Sequence, residues 1–125
     1  MFKPAAAFSG FSVKDLEEAK KFYGEVLGFE MSEDMGLKLK LPGGGEVFVY
    51  SKENHQPALY TVLNLVVEDL DSSVDELGKR GVSFEQYEGM HQDEKGIARP
   101  PKPEYGPPIA WFKDPAGNIL SLIEK

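Results

Sequence analysis

Residues able to do chemistry are scarce in this chain. It holds two histidines, His55 and His91, and no cysteine, so a disulfide framework, a thiolate metal site and a cysteine nucleophile are all excluded. Neither histidine has a partner at a spacing that forms a metal-ligand pair. His91 does have Glu88, Asp93 and Glu94 nearby, a grouping that could build a nonstandard site or supply an acid or base. His55, between Lys52 and Pro57, reads as a solvated loop histidine. Gly43-Gly44-Gly45 is glycine-rich enough for a phosphate loop, but no Gly-Lys-Ser/Thr follows and no helix begins there, so it reads as a hairpin tip. The 21 acidic and 14 basic side chains give a net charge of −7, which disfavours nucleic acid and anionic lipid as partners. Glu17, Glu18, Glu25, Asp71, Asp75 and Glu76 fall on predicted helices outside the apolar stripes, where they form a solvated face.

The elements that must position such residues follow from a repeat. Phe11-Ser-Val-Lys-Asp15-Leu16 matches Leu65-Val-Val-Glu-Asp69-Leu70 at an offset of 54 residues, and Gly24 then falls on Gly78. In each half an apolar or alternating run, Ala5 to Val13 and Tyr60 to Val67, predicts a strand, and the Asp that follows can cap a helix. Asp15 and Glu18 form a capping box. Leu16, Ala19, Phe22, Tyr23, Val26 and Leu27 then make one apolar face, ended by Gly28. Leu70, Ser73, Val74 and Leu77 make the second stripe, with Gly81 past its end.

Alternating strands follow at Phe29 to Ser32, Leu37 to Leu41 and Glu46 to Tyr50. In the second half they fall at Ile109 to Lys113 and Ile119 to Glu124, around the Asp114-Pro115-Ala116-Gly117-Asn118 turn. Each half therefore reads as strand, helix and about three strands, residues 5–53 and 58–125, within one domain of residues 1–125. The fold class is α+β. Gly89 to Pro108, with five prolines, breaks the symmetry and reads as loop or edge structure covering something, a lid or a surface excursion of no function. No stretch approaches the roughly 20 apolar residues of a membrane span, and Met1 to Phe11 lacks a secretory apolar region, so a cytoplasmic location is expected.

Asp-Leu, Glu, Ala, Phe22-Tyr23 and Leu27-Gly28-Phe29, followed by Asp114-Pro115 with Gly117-Asn118, resemble the vicinal oxygen chelate superfamily of glyoxalases, bleomycin resistance proteins, fosfomycin resistance enzymes and extradiol dioxygenases. The resemblance runs from about Ala5 to Glu124. It implies two tandem βαβββ modules whose curved mixed sheets enclose a cleft, often with homodimerisation, and in the enzymes a divalent metal held by His, Gln or Glu. The family's ligand positions fall here on Phe8, Val62, Ser121 and Phe48, or on Val49 if the hairpin tip carries a one-residue gap. None of these suits a hard divalent cation. A one-residue register shift, to Ala7, Ser9, Thr61, Leu63, Leu120 or Leu122, does no better. The expectation is no metal and no cofactor.

With Val13, Val67 and Phe112 pointing to the helices, alternation turns the opposite faces to the cleft: Phe8, Gly10 and Ser12; Lys38 and Lys40; Glu46, Phe48 and Tyr50; Val62, Asn64 and Val66; Ile109, Trp111 and Lys113; Ile119, Ser121 and Ile123. Phe8, Ser12, Phe48, Tyr50, Val62, Asn64, Trp111 and Ser121 are the expected ligand-binding residues, suited to a small, partly aromatic or apolar molecule. Sequestration of such a molecule is one reading. A lyase or isomerase using Glu46, Tyr50 or His91 as acid or base is a second, and a dimeric interaction module with a filled cleft is a third.

Overall fold

A computed structural model describes residues 1–125. The chain divides into two compact units, Met1–Pro57 and Ala58–Lys125.

In the first unit, strand β1 (Ser9–Val13) leads into helix α1 (Leu16–Lys21), then β2 (Met31–Glu33), β3 (Leu37–Lys40) and β4 (Glu46–Ser51). The sheet order is β1-β4-β3-β2, with β1 and β4 parallel and the other pairs antiparallel. Asp15 caps α1 by accepting from the backbone N–H groups of Glu17 and Glu18, which satisfies two of the four donors a helix start leaves open. The helix does not continue as one regular α-helix to Leu27. After Lys21 it widens into a π-helical turn, Phe22–Val26, closed by the Leu27 N–H donating to the Phe22 carbonyl at 2.9 Å. Gly28, at φ 78°, then reverses the chain, and Phe29 N–H bonds the Tyr23 carbonyl at 2.9 Å. Tyr23 is thereby fully buried, its ring 5.1 Å from that of Phe22 and 5.9 Å from that of Phe11. Phe11, Val13, Leu37, Leu39, Val47 and Val49 complete this core. The strands alternate as expected, so Lys38, Lys40, Glu46, Phe48 and Tyr50 stand on the opposite face.

The second unit repeats the plan with one strand fewer. It runs β5 (Thr61–Val67), α2 (Leu70–Lys79), β6 (Ile109–Lys113) and β7 (Ile119–Glu124), with sheet order β5-β7-β6. The parallel pair β5·β7 corresponds to β1·β4, and even the closing bond recurs. Lys52 N–H donates to the Val13 carbonyl in the first unit, and Lys125 N–H to the Val67 carbonyl in the second, both at 2.9 Å. The N-terminus of α2 is capped twice, by Asp69 accepting from Ser72 N–H at 3.1 Å and by Glu124 accepting from Leu70 N–H at 3.0 Å. Leu70, Val74 and Leu77 are buried, as are Phe112, Leu120 and Leu122 on the sheet. The third post-helix strand expected in this half is reduced to a single bridge, Phe84 opposite Phe112.

The segment that replaces it is not a loose excursion. Ile97 is fully buried, and Ala98 pairs with Ile109. One Asp93 carboxylate oxygen accepts from the N–H groups of Lys95 and Ile97, both at 2.9 Å. Arg99 reaches both carboxylate oxygens of Asp71 on α2 at 2.9 Å, and Lys95 reaches Asp75 at 3.0 Å. The Arg99 guanidinium holds the Asp71 carboxyl below its ordinary range. No helix is long and apolar enough to cross a membrane.

Candidate ligand-binding site

The open face of the first sheet carries the expected aromatic residues. Cross-strand register sets Phe48 between Gly10 and Lys38, Ser12 beside Tyr50, and Glu46 beside Lys40. Because Gly10 has no side chain, the neighbouring Phe48 is uncovered on that side. Its ring lies 5.9 Å from Tyr50 in a stacked arrangement with an interplanar angle of 21°, and Phe8 meets it edge-on at 6.5 Å. Gly36 matters for a second close approach, since a Cβ there would lie 2.7 Å from the Phe48 ring. Above these rings is a cavity of about 510 Å³, lined by Phe8, Phe48, Tyr50, Val47 and Met35, with Asp34, Lys38 and Glu46 contributing the polar groups. Phe8 is 70% exposed although strongly apolar. Lys38 stands 4.0 Å from Asp34 and Lys40 opposite Glu46, so opposite charges offset one another and the net −7 of the chain is not concentrated here. This arrangement can hold a flat ring by stacking and area burial, with charged groups to orient it.

Ser12 shares the open face but does not line the cavity. Its Oγ lies 2.7 Å from Nδ1 of His55, which is half-buried rather than solvated. His55 therefore ties the connector after β4 to the first strand. The sequence gives no sign of this contact, which spans 43 residues. Met35 and Asp34, also unforeseen, reach the cavity because the chain turns between β2 and β3 with Met35 at φ 61°. Gly36 beside them is the one sequence signal for that turn.

On the second sheet the expected residues form a row. Asn64, Ser121 and Trp111 are register partners on β5, β7 and β6. Ser121 is fully buried and donates to the Asn64 side-chain oxygen at 2.5 Å. Val62 falls at an irregularity between Thr61 and Leu63 and drops out of the ladder, which the regular alternation did not foresee. Tyr87 extends the row beyond Trp111, edge to face with ring centroids 5.6 Å apart. The Tyr87 hydroxyl is buried, with no protein group at hydrogen-bond distance. Burial, and then the Glu85 carboxylate, hold its pKa above the ordinary phenol value. His91 sits apart from these rows, exposed in a turn at φ 50°. Glu46 and Tyr50 line the first unit's cavity.

The sequence model of the Glyoxalase/Bleomycin resistance protein/Dioxygenase superfamily matches residues 7–122. The chain belongs to this superfamily. No curated protein matches it. Among solved structures, a superfamily member from Sphaerobacter thermophilus DSM 20745 is similar at 25% identity and TM-score 0.70, with 96% of this chain and 98% of that one covered. TnmS3, an antibiotic binding protein from Streptomyces sp. CB03234, is similar at 24% identity and TM-score 0.67, with 98% of each chain covered. The fosfomycin resistance protein FosX from Listeria monocytogenes shares the fold at 13% identity and TM-score 0.70, with 99% of this chain and 95% of that one covered. Superfamily membership raises the question of a metal. Phe8, Phe48 or Val49, Val62 and Ser121 stand at the positions that the family resemblance gives to ligands. No group of three or more His, Cys, Asp or Glu side chains could hold a metal ion. The residues present do not fit one.

Proposed function

We propose that this superfamily member binds a small, flat, partly aromatic molecule through the ring faces of Phe8, Phe48 and Tyr50, without a metal and without turnover. The observation that carries this reading is the cavity of about 510 Å³ built on three contacting aromatic rings. Its volume falls within the roughly 300–1,000 Å³ of small-molecule sites. Removing an exposed ring such as Phe8 from water, together with a ligand ring, is favourable in proportion to the apolar area covered. The antibiotic-binding TnmS3, similar over 98% of its length, supports the same class of activity. The working form is a homodimer, supported by the exposed apolar residues Leu59, Tyr60 and Val66.

The test is a thermal-shift screen of planar aromatic compounds against purified protein. A ligand present at about 100 times its Kd adds roughly 2.7 kcal/mol to stability, and Phe48→Ala should abolish the shift. Light scattering on the same sample should give twice the 13.9 kDa chain mass. A stoichiometric divalent metal in the purified protein, with chelation abolishing a turnover, would overturn the reading.

A further inference from the structure

We propose that Met35 is a binding residue that closes over the outer face of a flat aromatic ligand seated on Phe48 and Tyr50, holding its ring between a thioether and the aromatic floor. This rests on the reading that the cavity takes a planar aromatic molecule, and it adds the residue that covers the solvent side. Three properties of one residue carry the assignment. Met35 stands at φ 61°, in the left-handed region where a bulky side chain costs free energy that Gly or Asn largely avoids. It is 97% exposed, so its apolar side chain packs against almost nothing of its own protein. It nevertheless lines the cavity together with Phe8, Phe48 and Tyr50.

The turn explains the backbone at this position but not the residue. Glu33 pairs with Leu37 across β2 and β3, and Asp34 N–H donates to the Gly36 carbonyl at 2.9 Å, which leaves Met35 alone at the apex. Asp and Gly, the residue types suited to such a turn, stand on either side of it. Folding gains nothing from a methionine here, since the side chain buries almost no area and strains the chain. Strain of this kind persists at ligand clamps, where it serves binding. The turn also lies directly against the floor, because a Cβ at Gly36 would come within 2.7 Å of the Phe48 ring. Methionine suits the task. Its unbranched, polarizable thioether adapts to the shape beneath it and makes favourable sulfur–aromatic contacts. Covering it with a ligand ring removes from water an apolar side chain that the rest of the chain leaves bare.

The experiment uses the full chain with acridine, proflavine and fluorene-2-carboxylate, planar tricyclic probes that share a flat ring system and differ in charge. With carbon-13 labels on the methionine methyls, saturating probe should move the Met35 resonance upfield through the ring current. The methyl of Met31, packed at Gly24, should stay in place. In calorimetric titration Met35→Gly should weaken binding roughly tenfold, and Met35→Leu, which keeps an apolar side chain, should recover most of the loss. The unliganded melting temperature of Met35→Gly should hold or rise by up to roughly 4 °C, because relief of left-handed strain offsets the freedom glycine gives the unfolded chain. Lower affinity with undiminished stability separates a binding residue from a structural one. Unchanged affinity in Met35→Gly, a clear drop in its melting temperature, or a static Met35 methyl would overturn the inference and leave the binding reading standing. So would a light-scattering mass halved by the substitution, which would assign Met35 to contact between copies of the chain. Absence of binding by all three probes to the wild type would overturn both.

Discussion

Replacing Gly36 with alanine is the sharpest probe of the aromatic floor. An ideal Cβ at this position would lie 2.7 and 2.8 Å from two Phe48 ring carbons and 2.9 Å from the Val49 carbonyl oxygen. Carbon atoms prefer separations of about 3.5–4.0 Å, so the ring must retreat by roughly 1 Å. The Val49 oxygen belongs to β4, where Val49 is the register partner of Leu37, and it cannot yield without disturbing the sheet. Overpacking of this kind costs roughly 1–3 kcal/mol. At about 4 °C per kcal/mol for a chain of this size, the melting temperature should fall by roughly 4–12 °C. The same displacement pulls Phe48 away from Tyr50 and should weaken binding of any planar ligand. A double-mutant cycle separates ring from backbone. In a Phe48→Ala background the two ring contacts are gone and the Val49 contact remains, so Gly36→Ala should cost markedly less, with a coupling of about 0.5–3 kcal/mol. Calorimetric melts of the four proteins measure it, and strictly additive costs would refute the claim that Gly36 exists to seat the Phe48 ring.

Two further perturbations test how the second unit is held. Arg99→Ala should speed amide hydrogen exchange across residues 93–99 with little change elsewhere, and 1 M salt should act in the same direction by screening. Asp71, whose pKa is lowered chiefly by its hydrogen bond to Arg99, gives the pH dependence. Its contribution is present above the ordinary carboxyl value of 3.8, where the unfolded chain also carries the charge. It is lost as pH falls through the lower folded value, so exchange in that segment should rise in acid. Asp114→Ala removes a buried carboxylate that accepts from Ala116 N–H at 3.0 Å, Asn118 N–H at 2.8 Å and the Asn118 side-chain amide at 3.0 Å. Leaving these donors unsatisfied should cost about 3 kcal/mol, read as a lower urea midpoint at unchanged slope.

The repeat, both caps and the bounds of β6 and β7 were legible because each rests on local physics: period-2 alternation, a capping Asp, a Pro-x-Gly turn. The π-helical turn was not. Leu16, Ala19, Phe22, Tyr23, Val26 and Leu27 fit an α-helical stripe equally well, so their spacing does not mark the widening at Phe22–Val26. The second unit's missing strand escaped notice for a similar reason. What occupies its place is built from side-chain-to-backbone bonds by Gln92 and Asp93, which have no periodicity. Of the site, Phe8, Phe48, Tyr50 and Glu46 followed from strand parity alone. Met35, His55 and Tyr87 are positioned by turns and distant partners, so spacing carries no trace of them.

The single bridge at Phe84 changes what the outer edge of β6 can do. Ile109 exchanges hydrogen bonds with Ala98, and the Trp111 carbonyl accepts from Glu85 N–H at 2.8 Å. Two separate stretches of irregular chain thus occupy backbone groups that a regular strand would have filled. A foreign strand finds no continuous row to template on, so this margin is protected against edge-to-edge aggregation. The stretches that close it obey no two-residue alternation, so many of their positions can change without flipping side chains between faces. In a duplicated architecture, that gives the second copy a margin whose sequence can be rewritten while its sheet keeps register.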